Sequence, residues 1–348
     1  MSSSSVKPFA QLQFPLAEIV VATNNFADEN FIERHAFGNA YKGRLLVGGE
    51  LVTITARRLD RTFGQREVQF WKEVTLLSSL KHENIVSNIG YCEEEGEYIV
   101  INKHDLHGSL AERVRDKTNI TWTQRLKISV GIACALSYIH YDEKHDFSII
   151  HMDIKSGIIF LDENWVPKLS SFERSVNVSV AERHRAHSSG QRRWGTPGYV
   201  DPLGLKTGMV SHTSDVYSLG VVLFEILCGR VASDPTGLEP FRTKAKSHYE
   251  NRKLNDLIDP DLRAQMDQQS FDYFSEIAYH CLNEDPLQRP NAHGIVRILN
   301  KALELQQEHE KPPLISKVPS IAVVEVEDPS YRSLEVIDLH VLSLLYMS

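Results

Sequence analysis

The carboxylate of Glu73 stands where an isolated charge is costly. It follows Phe70 by three residues and precedes Leu77 by four, so it projects from the apolar stripe of a predicted helix. A carboxylate buried without a partner is unfavourable, so this side chain needs a cation from another element. The helix therefore predicts a buried salt bridge.

Residues 175–194 form a basic segment in an acidic chain. The sequence has 38 Lys and Arg against 46 Asp and Glu, which gives a formal net charge of −8. A positive patch of this kind could bind an acidic or phosphorylated partner. The alternative, a solvated loop without a binding role, is favoured. The basic side chains are Arg183, His184, Arg185, His187, Arg192 and Arg193.

Composition and charge exclude several classes of protein. With 348 residues, 42% of them hydrophobic, the chain can bury one large domain or two lobes. Its acidity excludes nucleic acid as the main partner, because phosphate backbones attract basic surfaces. No apolar run is long enough for a direct membrane span, and the start MSSSSVKPF lacks the layout of a signal peptide. We therefore expect a cytoplasmic chain.

The cysteines give no sign of metal or redox chemistry. They are far apart, each in an apolar run, and none forms a Cys-x-x-Cys pair. We expect small core residues in a reducing compartment. The four are Cys92, Cys134, Cys228 and Cys281.

Periodicity divides the chain into four regions. Residues 1–30 contain a serine-rich start and a short helical stripe, and residues 31–103 are mostly strand-like with one helix. Residues 104–308 are dominated by helical patterns such as RLKISVGIACALSYIH and SDVYSLGVVLFEIL. The tail, residues 309–348, ends in an apolar stripe that either docks on the domain or binds a partner. The stripe consists of Leu334, Ile337, Val341 and Leu344.

Nine segments in a fixed order carry a resemblance to a known family. They are FPLAEIVVATNNF, AFGNAYKGRL, ITARRLD, EVTLLSSLKHENIV, IIHMDIKSGIIFLDE, KLSSFERS, GTPGYVDP, SDVYSLGVVLFEIL and CLNEDPLQRP. Together they resemble the signature segments of plant receptor-like serine/threonine protein kinases of the Pelle type. The resemblance implies an α+β, two-lobed protein-kinase-like fold. A small β-rich N-lobe would be followed by a larger α-helical C-lobe, with a nucleotide cleft between them.

The resemblance also assigns roles to particular residues. Asp153 stands at the position of the base that accepts the substrate's hydroxyl proton, and Lys155 at that of the lysine that steadies the γ-phosphate. For Asp153 we favour a structural interpretation, in which its carboxylate accepts hydrogen bonds that brace its own loop. The resemblance also pairs Arg57, in the strand-like segment ITARRLD, with Glu73, and a stabilising role for this salt bridge is favoured over phosphate binding. The nucleotide-cleft positions are Gly38, Ala40, Arg57, Glu73 and Asp105.

Both positions that hold magnesium in this family are changed. Ile158 replaces the metal-binding asparagine, and Ser171 replaces the aspartate of the Asp-Phe-Gly motif. Magnesium requires hard oxygen ligands, which isoleucine lacks and a neutral hydroxyl replaces poorly. No metal site is expected.

The positions around the phosphates and adenine are changed as well. Glu33 and His35 take the first two glycine positions of the phosphate loop, and Glu173 takes the glycine of Asp-Phe-Gly. A carboxylate near polyphosphate costs Coulomb energy. Arg57 replaces a lysine whose geometry a guanidinium does not reproduce. With Thr55 at the small position beside adenine, the pocket is expected to be crowded.

Scaffold positions are mostly kept. Asp215 is expected to tie the catalytic loop from beneath. Arg289 normally pairs with the glutamate of an Ala-Pro-Glu motif, but Leu203 stands there. Arg289 therefore needs another acceptor or water, and a looser activation segment is expected. Met152 replaces the arginine that reads a phosphorylated activation loop.

Two functions remain open. The favoured one is a catalytically inactive pseudokinase that scaffolds or allosterically regulates receptor-like kinases, recruited by them to the inner face of the plasma membrane. The alternative is a weak or atypical ATP-dependent serine/threonine kinase that uses Asp153, Lys155, Arg57 and Glu73. No cofactor is firmly expected, and weak, metal-independent ATP binding stays open, because adenine contacts in the hinge at residues 102–105 run through backbone groups.

Overall fold

The computed structural model describes residues 9–35, 38–60, 66–116, 120–190, 195–233 and 240–311. Residues 1–310 form one compact unit and residues 311–348 a second, of which only Lys311 is described. The interpretations of the N-terminal serines and of the C-terminal apolar stripe therefore fall outside the described residues. The boundaries at 31, 104 and 309 stay predictions.

The first part of the chain forms a five-stranded antiparallel sheet with one long helix beside it. The strand order is β1-β2-β3-β5-β4. β-Branched and aromatic residues favour pleated backbone, and the run Tyr98, Ile99, Val100 and Ile101 in β5 is of this kind. The elements are α1 (Leu16–Ala22), β1 (Phe31–His35), β2 (Gly38–Val47), β3 (Glu50–Leu59), α2 (Arg66–Ser79), β4 (Asn88–Glu94) and β5 (Glu97–Lys103).

Helix α2 buries the stripe that its sequence predicts. Phe70 and Val74 are fully buried and Leu77 nearly so, because residues at this spacing share one helical face. The ring of Phe70 meets that of Tyr91 in β4 edge-on, with 5.8 Å between centroids. Glu73 lies among them and is only 1% exposed. The helix therefore brings a carboxylate into the interior.

The second part is mainly helical, with three short two-stranded sheets. The helices are α3 (Leu110–Arg115), α4 (Trp122–Tyr141), α5 (Pro202–Thr207), α6 (His212–Cys228), α7 (Phe241–Glu250), α8 (Pro260–Arg263), α9 (Gln268–Cys281) and α10 (Ala292–His309). The strands are β6 (Phe147–Ile150), β7 (Ile159–Leu161), β8 (Pro167–Leu169), β9 (Val176–Ser179), β10 (His187–Ser188) and β11 (Met209–Val210). The predicted α+β fold, a β-sheet region followed by a helical region, is confirmed.

Helices α4 and α6 support the loops of the helical part. Helix α4 begins at a capping box, in which Thr121 and Gln124 bond each other's backbone N–H groups. In α6 every residue except Thr213 is buried, including the polar residues Asp215 and Glu225. It ends at Gly229, whose φ of 65° is a left-handed cap that suits glycine.

Two of the short sheets fix the segments that matter for chemistry. Strand β6 pairs antiparallel with β9, and β7 with β8. Residues 151–158 join β6 to β7, and residues 170–175 join β8 to β9. Asp153 and Ser171 therefore lie on short connections between anchored strands.

Among the described helices, none is both long enough and apolar enough to cross a bilayer.

Candidate functional site

A small cleft is lined by strands of the sheet, by α2 and by the segment after β8. Of the predicted nucleotide positions, Arg57, Glu73 and Asp105 line it, together with Glu33 and Thr55. Its volume is about 50 Å³, whereas small-molecule sites usually enclose roughly 300–1,000 Å³. This agrees with the expectation of a crowded pocket.

Arg57 is held between two carboxylates. Its guanidinium contacts Glu73 on α2, and its Nη1 donates to Oε2 of Glu173 at 3.2 Å. The three residues are 6%, 1% and 4% exposed, respectively. Charges buried this deeply are tolerated only when paired. We call these three residues the buried triad; it joins β3, α2 and the turn after β8.

Glu173 reaches Arg57 because of the backbone turn that precedes it. Ser171 has φ 65° and ψ 57°, in the left-handed region, and a single 3-10 turn follows at Phe172–Arg174. Phe172 is fully buried, and its ring meets His151 at 4.8 Å. Lys72 on α2 also donates to the carbonyl of Ser175 at 3.0 Å. The turn and α2 are thus tied together at two points.

Asp153 and Lys155 meet at a third residue, Thr196. The Thr196 hydroxyl donates to Asp153 Oδ1 at 2.7 Å, and Lys155 Nζ donates to the same hydroxyl at 2.8 Å. Lys155 Nζ and Arg174 Nε lie 3.5 and 3.7 Å from Asp153 Oδ2. The carboxylate thus contacts Lys155 in its own loop and also joins this loop to Thr196, which lies 43 residues away.

The two positions that would hold magnesium supply one hydroxyl between them. The Ile158 residue is apolar and 2% exposed. Ser171 Oγ lies 3.3 Å from Ser170 Oγ, which itself donates to the carbonyl of Ile158 at 2.8 Å. In the described parts of the chain, no three His, Cys, Asp or Glu side chains converge on a point suited to a metal ion.

Gly38 and Ala40 have packing explanations in β2. Gly38 pairs with Leu59, and a Cβ at this position would stand 2.0 Å from the carbonyl oxygen of Arg58, so only glycine lets the strands approach. Ala40 pairs with Arg57 across the sheet and is 1% exposed. Their roles toward nucleotide stay predictions. The side chain of His35 lies outside the described residues.

Four polar side chains of the lining lie at the end of the cleft near β5. The Oδ1 atom of Asn102 is buried and accepts no hydrogen bond from the described residues. Burial raises the pKa of the Asp105 carboxyl to about 6. Thr55 Oγ1 and His104 Nδ1 form a hydrogen bond of 2.9 Å across the strands. Burial, with Lys42 nearby, lowers the pKa of that imidazole.

Asp215 ties the catalytic loop to α6, as expected. Its Oδ2 accepts from the backbone N–H of His151 at 2.7 Å, and its Oδ1 accepts from that of Met152 at 2.9 Å. His140 Nε2 lies 2.9 Å from Oδ2. Met152 has a φ of 71°, an unfavourable conformation that these bonds hold in place.

Two buried titratable groups lie deeper in the helical part. His212 stacks on His140 with 4.2 Å between centroids. Burial, then the neighbouring imidazole, lowers the pKa of His212 to about 2. Glu225 accepts a hydrogen bond of 2.5 Å from the Tyr199 hydroxyl. Burial raises the pKa of Glu225 to about 7.

Arg289 has an acceptor in place of the lost glutamate. Its Nη1 and Nη2 donate to the two carboxylate oxygens of Asp201 at 2.7 and 3.0 Å, and Nη1 also donates to the carbonyl of Thr213 at 2.9 Å. Asp201 caps α5 through the N–H of Leu203 at 3.0 Å. The segment is therefore anchored two residues earlier in the chain, which removes the reason for expecting it to be loose.

The basic segment is only partly described. The Arg183 guanidinium lies 5.8 Å from the centroid of the Tyr141 ring, and Arg185 lies 3.5 Å from Glu182 at the surface. Arg192 and Arg193 fall outside the described residues. A binding role for this patch stays a prediction.

Comparison with known families decides the class of protein. A profile of the protein kinase domain matches residues 27–299, which include the cleft, the catalytic loop and the anchored activation segment. The chain belongs to the protein kinase family.

This kinase domain is similar to receptor-like kinases of Arabidopsis thaliana. It is 36% identical to receptor-like protein kinase ANXUR1 over 305 residues, 85% of this chain and 34% of that protein. It is 35% identical to receptor-like protein kinase FERONIA over 303 residues, 86% of this chain and 33% of that protein. It is 33% identical to receptor-like protein kinase HERK 1 over 309 residues, 87% of this chain and 36% of that protein. The chain spans about a third of the length of these relatives.

The side chains of this kinase cleft do not fit magnesium-ATP. Ile158 offers the metal no ligand, and the buried hydroxyl of Ser171 is a weak one. Arg57, the cation that would face the phosphates, already contacts two carboxylates. Glu33 adds a further acidic group to the lining.

Sequence reasoning missed three contacts of this kinase. It treated Glu173 as a lost glycine and not as a ligand of Arg57. It did not consider Thr196, although a hydroxyl in the segment GTPGYVDP can bond a nearby carboxylate. It left Arg289 without a named partner, while Asp201 lay two residues before the changed position.

Proposed function

We propose that this chain is a pseudokinase, a kinase-shaped module that acts by binding other kinases and does not transfer phosphate. The buried triad is the observation that carries the proposal. In it, Arg57 lies between Glu73 and Glu173, so that its charge is already matched by two carboxylates. A phosphate group would have to displace a buried carboxylate to reach the guanidinium, and it would meet the two carboxylates there.

The buried triad also gives such a module a fixed shape. In active protein kinases, the ion pair between the β3 cation and the glutamate of the adjacent helix must be in place. Here the same helix is held by Arg57 and, through Lys72, by the turn after β8. Groups of the protein itself make these contacts. The chain can therefore present the surface of an assembled kinase without turnover, which is what an allosteric partner requires.

The partners that this proposal favours are receptor-like kinases. The relatives of this chain carry that name. The formal net charge of −8 does not suit nucleic acid as the main partner. A cytoplasmic location, with recruitment by such partners to the inner face of the plasma membrane, belongs to the same proposal.

A phosphotransfer assay tests the loss of catalysis. The chain is incubated with radiolabelled ATP and either magnesium or manganese, beside an active kinase as the positive control. We expect no label on the chain or on an added protein acceptor. Labelling that disappears in Asp153→Asn would overturn the proposal.

A second assay tests the binding role itself. The activity of the kinase domain of a receptor-like kinase is measured with and without this chain. We expect a change in its rate that Asp153→Asn preserves in full. No change at a large excess of the chain would contradict regulation of that kinase.

The alternative, a weak serine/threonine kinase, is favoured by one observation. Asp153, Lys155 and Thr196 form a compact hydrogen-bonded group, and Asp153 is 6% exposed. This candidate requires ATP to raise the melting temperature only when magnesium is present, because a ligand of the native state stabilises it by mass action. A rise without magnesium would instead indicate metal-independent ATP binding. The buried Oδ1 of Asn102, which accepts no hydrogen bond from the described residues, would be available to accept one from the ligand.

A further inference from the structure

A second cavity lies in the helical part, remote in sequence from the catalytic loop. It encloses about 380 Å³ between α5, α6, α7 and the segment after α9. We call it the α5–α7 groove. Its volume is within the roughly 300–1,000 Å³ of sites that bind small groups or side chains. The residues used below are Leu203, Lys206, Arg242, Lys246, Leu282 and Glu284, all of which line it.

The apolar part of the groove begins at the position where the family has a glutamate. Leu203 is 42% exposed, although its neighbour Asp201 is buried in the pair with Arg289. Leu282, also in the lining, is 2% exposed and belongs to the core behind the groove. The leucine adds apolar surface beside an ion pair that already satisfies Arg289. Leu203 thus supplies an exposed apolar side chain at the edge of the groove.

The charge of the groove is positive once its internal pairs are counted. The Asp201 carboxylate is matched by Arg289, and Glu284 lies 3.4 Å from Lys246. Lys206 and Arg242 remain, and within the described part of the chain neither lies within salt-bridge distance of a carboxylate. Arg242 donates one hydrogen bond, of 3.2 Å, to the carbonyl of Gly198. Two cations thus border an apolar cavity in a chain whose formal net charge is −8.

We infer that the α5–α7 groove docks an acidic segment of a partner protein, a peptide in which leucine-type side chains alternate with carboxylates. The apolar side chains would contact Leu203, and the carboxylates would pair with Lys206 and Arg242. Cation and apolar surface together select such a segment over a neutral or basic one. The inference deepens the proposed function and rests on its claim that the chain works by binding. The two can fail separately, because phosphate transfer through Asp153 would leave the groove unaffected.

Fluorescence polarisation with two labelled peptides tests the inference. The probe is EELDELEE, and its neutral counterpart is QQLNQLQQ. We expect the acidic peptide to bind the wild-type chain at least about tenfold more tightly, and the preference to weaken at high salt, which screens exposed charges. Equal affinity for the two peptides, or no binding of the acidic one, would overturn the inference.

Charge-reversal variants locate the binding. Lys206 is exposed, and its side chain makes no hydrogen bond within the described part of the chain. Lys206→Glu is expected to weaken binding of the acidic peptide at least about tenfold. Arg242→Glu should do the same, with a melting curve checking the fold because its bond to Gly198 is lost. Lys244→Glu is the matched control: it makes the same charge change on α7 outside the groove lining. Equal losses in Lys244→Glu and Lys206→Glu would contradict docking at the groove.

A second copy of this chain is the competing occupant of the α5–α7 groove. Sedimentation of the wild-type chain is expected to show the same species as Lys206→Glu. A dimer that this substitution dissolves would assign the groove to a second copy of the chain and would overturn docking of an acidic partner.

Discussion

Glu173 accepts a hydrogen bond of 3.2 Å from Arg57, although the two residues lie 116 positions apart in the chain. The contact places a carboxylate from the turn after β8 against the cation of β3. It changes the meaning of the altered Asp-Phe-Gly motif, because the glycine is replaced by a residue with a structural partner. The motif therefore helps to hold α2 in place, through Arg57.

The buried triad contains one cation and two carboxylates, which makes its members unequal. Arg57→Met removes the cation that Glu73 and Glu173 both contact, and we expect it to lower the free energy of unfolding by about 3–5 kcal/mol. Glu173→Gln keeps Glu73 and an acceptor for the guanidinium, so its cost should stay below about 1.5 kcal/mol. Urea denaturation of the two variants measures both values.

Glu182→Gln is a control for this comparison. Its carboxylate is 50% exposed and lies 3.5 Å from Arg185, and exposed pairs contribute about 0–1 kcal/mol. If Glu173→Gln cost as much as Arg57→Met, the inference that the single cation matters more than either carboxylate would be wrong.

The anchor between Asp201 and Arg289 is expected to be essential for stability. The Arg289 side chain is 0% exposed, so Asp201→Asn would leave a buried guanidinium with a weaker partner. We expect a loss of about 3–5 kcal/mol in the free energy of unfolding. Glu284→Gln, which removes a carboxylate that is 90% exposed, should change it by less than about 1 kcal/mol. Equal losses would show that the anchor contributes no more than a surface pair.

Much of the fold could be predicted from the chain. Helix α2, with Phe70, Val74 and Leu77 on its buried face, followed from periodicity, because spacing alone selects the side that packs. The partners of Glu173 and Arg289 could not be predicted in this way. They depend on which segments the tertiary fold brings together, and a local pattern carries no information about contacts between residues far apart in the chain. That Glu73 needs a counter-ion followed from its place on the apolar stripe, whereas the choice of Arg57 came from the resemblance to the kinase family.

The hydroxyl of Thr196 gives the next prediction. It donates to Asp153 and accepts from Lys155, so Thr196→Val removes two hydrogen bonds with little change in volume. We expect a loss of about 1–3 kcal/mol in the free energy of unfolding, since Asp153 is buried. Thr196→Ser keeps the hydroxyl and should restore most of it. Thermal and urea unfolding compare the three chains, and a serine variant as unstable as the valine variant would assign the effect to the methyl group.

Two buried groups should make the free energy of unfolding depend on pH in opposite directions. The pKa of His212 is lowered from 6.5 to about 2, so its contribution to stability is present above pH 6.5 and is lost as the pH falls, because only the unfolded chain takes up the proton. The pKa of Glu225 is raised from 4.5 to about 7. Its contribution is present at low pH and is lost as the pH rises through about 7. Between pH 6 and pH 5 the two contributions largely cancel.

Single substitutions should separate them. From pH 6 to pH 5, His212→Gln should gain about 1 kcal/mol in the free energy of unfolding relative to the wild type, because the destabilising protonation is removed. Glu225→Gln should lose a similar amount relative to the wild type over the same interval. Urea titrations at both pH values measure these differences, and the double variant should follow the wild type. Parallel pH dependences of the two single variants would mean that at least one of the groups titrates normally in the folded chain.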